Sequence, residues 1–154
     1  MNMKKIVSFA LAALMLVSLM LTLTACGSAY PGIEKNFVNA GFEVVDTSDS
    51  DGKSYLSFIT DLENGEISCT IHVLKKGKLS DNDLVYAVIA EYGADKDAAA
   101  ALDEQLDGGL ASTLKDLDES KLVKGNCLLI PINANLNFLK AEENIENMLE
   151  LFNK

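Results

Sequence analysis

The stretch ENGEISCTIHVL, residues 63–74, decides the fold. Ile67, Cys69, Ile71 and Val73 recur at every second position, with Ser68, Thr70 and His72 between them. A strict period of two predicts a half-buried antiparallel strand over 66–74. Asn64-Gly65 just before it is a two-residue hairpin signal, because Asn and Gly accept the positive φ angles that a tight hairpin turn requires. Residues 55–62, rich in apolar and β-branched side chains, then read as the partner strand.

Working outward, residues 33–40 read as a short helix with Ile33, Phe37 and Ala40 on one face and Gly41 as its stop. Phe42–Val45 follows as a strand, and DTSDSDGKS (46–54) as a polar turn. On the other side, KKGKLSDND (75–83) is a loop. LVYAVIAEY (84–92) fits a strand by its β-branched content and a helical stripe by its spacing; the strand is preferred because Gly93 and a helix start follow at once. Asp95–Leu106 reads as a helix with acids at its N-terminus, where the helix dipole favours them. Asp107-Gly108-Gly109 breaks it, and Leu110, Leu114 and Leu117 suggest a second helical piece. Asn126–Asn133 is a buried strand whose Pro131, unable to donate to a ladder, predicts a strand end or sheet edge. Ile145, Met148, Leu149 and Phe152 fall on one face of a C-terminal helix. The expected fold is α+β: a single small domain with an antiparallel sheet of about five strands and helices packed on one face.

The N-terminus gives the address. Lys4 and Lys5 precede Ile6–Leu23, an uncharged apolar run, and the run ends at Leu23-Thr24-Ala25-Cys26. A positive segment followed by an apolar one is a secretory signal pattern. The box at its end resembles the lipobox of bacterial lipoproteins: an aliphatic residue, small residues, then cysteine. That resemblance implies a diacylglycerol on the Cys26 thiol and cleavage between Ala25 and Cys26. Residues 1–25 are then a removed signal peptide, 26–32 a short tether and 33–154 the domain. The alternatives are an uncleaved helical anchor, which also leaves the domain outside because Lys4 and Lys5 stay in the cytoplasm, and a signal peptide without lipid. The remainder is similar in general pattern to small lipoproteins of Gram-positive bacteria, which implies no site residues.

Composition narrows the partners. The chain holds 23 acidic residues and 13 lysines, with no arginine, a net charge of −10. Two of those lysines lie in the signal segment, so the part from Cys26 onward carries −12. Nucleic acid, which needs a basic footprint, is not an expected partner. An anionic membrane surface repels such a domain, so the lipid must hold it there.

Candidate sites are few. Asp46, Asp49 and Asp51 suggest a calcium loop, but aligning Gly52 with the turn glycine leaves Thr47 and Phe58 at essential ligand positions, so a solvated turn is expected. Cys69 and Cys127 both fall in strands; the choice is between a disulfide, which the extracytoplasmic address permits, and two inert buried thiols, the reading taken. His72, the sole histidine, is expected to face solvent from the polar side of its strand. Asp116, Asp118 and Glu119 read as a solvated acidic face. No nucleophile elbow, phosphate loop or zinc-protease motif occurs, and no cofactor is expected. The functional expectation is a non-catalytic binding or accessory module, lipid-anchored on the outer face of the cell membrane, with an unidentified protein or peptide partner. An inhibitory or structural interaction partner is the alternative, and a small hydrolase a more distant one.

Overall fold

A computed structural model describes residues 27–46, 65–108, 110–134 and 138–154. Helix α1 spans Tyr30–Asn39 and is followed by strand β1, Glu43–Val45. Strands β2 (Cys69–Lys76) and β3 (Val85–Tyr92) are joined through a short 3-10 turn, Leu79–Asp81. Helix α2 (Asp95–Asp107), the single turn α3 (Ala111–Leu114) and a 3-10 turn at Glu119–Lys121 lead to β4, Val123–Lys124. Strand β5 (Cys127–Asn133) and helix α4 (Phe138–Asn153) complete the chain. The strands form one five-stranded sheet in the order β1-β2-β3-β5-β4, with every pair antiparallel. This is the small single-domain α+β fold expected.

The alternation in β2 survives in the register. Cys69, Ile71 and Val73 lie opposite Tyr92, Ala90 and Val88, while Thr70, His72 and Leu74 lie opposite Glu91, Ile89 and Ala87. Paired residues share a face, so the first set defines one side of the sheet and the second set the other. Helices α1 and α4 pack on each other and on the His72–Leu74 side: Tyr30 stacks on His72, and α4 lies along β5. The sequence points to the opposite face, that of Ile71 and Val73, as the covered one with His72 toward solvent; α1 and α4 instead cover the His72 side. The other face is not bare, because Ala87, Val88, Ile89 and Ala90 are all fully buried in succession, which requires cover on both sides of β3. Helix α2 packs against β3, β5 and β4 with Ala98, Ala101 and Leu102 buried, and supplies the second layer.

Local chemistry accounts for the element ends. Pro31 opens α1, where its fixed φ suits a helix and its missing N–H has no partner to lose. Helix α1 therefore starts three residues earlier than Ile33, and the tether expected over 26–32 shortens to the residues before Tyr30. At the other end the Phe42 N–H returns to the Phe37 carbonyl, and the two rings meet edge to face at 4.9 Å. In β5 the Leu129 N–H points away from β3 and bonds the Leu122 carbonyl at 2.8 Å. Pro131, two residues on, turns its nitrogen the same way, beyond the last β4 pair at Val123–Leu128. The missing donor thus falls where β5, buried at Pro131, has no β4 partner among the described residues, near the strand end that the sequence implied.

The count of five strands matches the expectation with one change of member. Val123–Lys124, which the sequence does not mark as a strand, form β4, whereas the strand expected at 55–62 and Asn64 of the expected hairpin turn lie outside the described residues. Residue 109 of the expected helix break lies outside them too, as do Cys26 and residues 1–25, the expected signal peptide. Among the described residues no helix is long and apolar enough to cross a membrane.

Candidate functional site

Two features stand out, at opposite ends of the strands. The first is a polar knot where the chain enters the domain. His72 Nε2 and Glu91 Oε2 are 2.8 Å apart, a diagonal pair on neighbouring strands, with each side chain about one-fifth exposed. The Tyr30 ring lies on the imidazole at a centroid distance of 3.5 Å and 13° from parallel. His72 therefore does not face solvent as expected. Its side of β2 is polar because it meets the start of α1 rather than water.

Glu91 is the hub. Burial acts to raise its pKa, but hydrogen bonds with Ser28, His72 and Asn126 and the imidazole charge outweigh that and hold the carboxyl below its ordinary value. Burial, with Glu34 alongside, pushes the Tyr30 hydroxyl well above the usual phenol range. The Tyr30 N–H donates to Ser28 Oγ at 3.0 Å. Asn126, in the β4–β5 turn, accepts the Ala29 N–H at 3.1 Å and donates to the Tyr92 carbonyl at 2.7 Å. Ser28 bonds the same carboxylate that His72 bonds, so the three residues do not line up as a nucleophile–base–acid relay.

Cys127 lies fully buried beneath this knot, and burial followed by the nearby Glu91 charge pushes its thiol up to about 12. It stands opposite Glu91 while Cys69 stands opposite Tyr92, so the two cysteines point to opposite faces of the sheet with β3 between them. Two strand spacings are about 10 Å, beyond the roughly 7 Å Cα limit of a disulfide. The bridge considered from sequence is not formed, and neither cysteine is in a disulfide.

The second feature is a cleft of about 360 Å³ between the end of α1, the β2–β3 connection and one face of α4. Phe42, Val85 and Leu151 give it apolar walls. Lys76, Asp83, Asn147, Glu150 and Lys154 bring both signs of charge and amide groups to it. Lys76 Nζ is held by the Ala40 carbonyl at 2.8 Å and stands over the Phe42 ring. Nothing in the sequence pattern marked this cleft: its lining comes from four separate elements, and only the sheet register brings Lys76 beside Val85. A few convergent polar groups on an apolar concavity suit a small amphipathic ligand.

The remaining candidates resolve simply. Asp118 caps the 3-10 turn at Glu119–Lys121, accepting from the Ser120 N–H and hydroxyl at 3.1 and 2.6 Å, and is exposed like Asp116 and Glu119. Gly108 is the C-cap of α2. Asp49 and Asp51 of the calcium reading lie outside the described residues, and among the described residues no three His, Cys, Asp or Glu side chains gather to hold a metal ion. A scan against protein-family models finds no match, and comparisons with curated proteins and with solved structures find none either.

Proposed function

We propose that this protein is a bacterial lipoprotein whose domain acts as a non-catalytic binding module on the outer face of the cell membrane. One observation carries the reading: the box Leu23-Thr24-Ala25-Cys26 closes an apolar run, and its cysteine lies only four residues before Tyr30, where helix α1 begins. A lipid on Cys26 then needs no stalk. The cleft beside Lys76 and Lys154 gives the module a place for a small ligand bearing both apolar and charged groups. The knot at Glu91 serves to fasten the chain and not to activate a nucleophile.

A second reading, an inhibitory or structural partner of another protein, draws on Val38 and Val44. Among the described residues these are the exposed large hydrophobic ones, and Val44 lies on β1 at the end of the strand order.

The deciding measurement is the intact mass of the protein extracted from its membrane, beside a Cys26→Ala variant. The expected species is residues 26–154 plus acyl chains, lost in the variant. A mass equal to the full unmodified chain would overturn the lipid anchor.

A further inference from the structure

The first described residues do not hang free of the domain. Ala29 is bonded to Asn126 at 3.1 Å, Ser28 is engaged by the Tyr30 amide and by Glu91, and the Tyr30 ring is stacked on His72. Position 125 is tight as well: a Cβ there would come within 3.2 Å of the Ala29 side chain, and its φ of +55° is one that glycine adopts readily. The entering chain is thus strapped across one end of the sheet, against the β4–β5 turn.

Covalent geometry sets the consequence. Cys26 is three residues from Ala29, a reach of about 11 Å at full extension. An acyl-bearing Cys26 must therefore keep this end of the sheet within about one residue layer of the headgroups. The opposite end, with Lys76 and Val85, lies about 25 Å away along the eight residues of β2.

Charge does not select this end: Glu66, Glu91 and Asp95 stand there against Lys96 and Lys124, so the short covalent reach and the strap set the orientation.

We infer that the strapped end of the sheet, formed by Gly27–Tyr30, Gly93–Lys96 and Lys124–Asn126, is the surface this domain lays against a lipid bilayer, with the α1–α4 cleft opening away from it. The inference rests on the lipid-anchored reading. It adds a fixed orientation, which a lipid on a loose tether does not give.

The chain has no tryptophan, so a single engineered one reports its own depth. Lys96→Trp marks the strapped end and Lys78→Trp the cleft end; both positions are exposed. The lipidated full-length variants are reconstituted in vesicles of phosphatidylcholine and phosphatidylglycerol whose acyl chains carry bromine, a short-range quencher. The expected result is loss of most of the Lys96→Trp emission and none of the Lys78→Trp emission. Equal quenching of both, or of neither, in protein that floats with the vesicles overturns the orientation while leaving the anchor standing. Protein that does not float overturns the anchor and the orientation together. Adding Asn126→Ala to Lys96→Trp is expected to reduce its quenching, because the strap is then loosened; unchanged quenching would remove the strap as the orienting device.

Discussion

The amide N–H of Ala29 donates to Oδ1 of Asn126 at 3.1 Å, across 97 residues of sequence. Asn126 holds the other side of the same junction through its Nδ2 and its own carbonyl, both bonded to Tyr92. One side chain thus ties the entering segment, the end of β3 and the β4–β5 turn together.

Asn126→Ala removes the side-chain bonds to Ala29, Tyr92 and Glu91 and leaves the Ala29 N–H and one bond of the Tyr92 carbonyl unmade. Hydrogen bonds at half-buried sites contribute about 1 kcal/mol each, and orphaned partners add to the loss, so a decrease of about 2 kcal/mol is expected. Urea denaturation with an unchanged m-value checks it. Hydrogen exchange at Ala29 should accelerate beyond this global loss, since the strap opens locally first.

The Glu91 carboxyl has a native pKa below its unfolded value. The unfolded chain then takes up the proton first as pH falls. The stabilisation is fully present above the ordinary carboxylate pKa of about 4.5 and is lost as pH drops through the lower native value. Thermal melts of the native protein and Glu91→Gln, compared from neutral pH down to about 3, should differ most at the neutral end and converge in acid. A gap that is independent of pH would assign Glu91 a packing role only.

Cys127 has a thiol raised to about 12, and its side chain is fully buried. It is expected to resist iodoacetamide at neutral pH and to react once the protein is unfolded in urea, as peptide mass mapping can read. The linkage has the opposite sense to that of Glu91: the native thiol keeps its proton when the unfolded one has lost it. The contribution of Cys127 is therefore lost as pH rises above about 9.

At Gly77 an added Cβ would come within 2.3 Å of the Asp83 carbonyl oxygen, at a φ of +82°. Gly77→Ala should destabilise by more than about 1 kcal/mol, since the turn that lets Asp83 accept the Lys78 N–H must shift. Gly32→Ala, in α1 with open space around it, should instead be neutral or stabilise by up to about 1 kcal/mol. Thermal unfolding of the two variants side by side gives the contrast.

The sheet was legible where periodicity is local. The alternation at 67–73 placed β2 and showed which of its side chains share a face, and the proline in NCLLIPIN marked where the outer pairing of β5 stops. The β-branched run at 84–92 formed a strand because neighbours on both sides bury it, which its helical spacing alone could not signal. The functional features were not legible for a related reason. His72 and Glu91 are 19 residues apart and meet only through the register, and Tyr30 joins them because Pro31 starts α1 earlier than the first apolar repeat. Two-residue β4 has no periodicity to read; it exists because Val123 and Lys124 run beside the first residues of β5.

Pro131 has a consequence for the interior of the fold. It is buried, and past Leu128 β5 has no β4 partner among the described residues. Any other residue there would carry a buried N–H pointing away from β3, with no ladder carbonyl to receive it. Proline has no such hydrogen, so the short β4 strand leaves no orphaned donor behind where it stops.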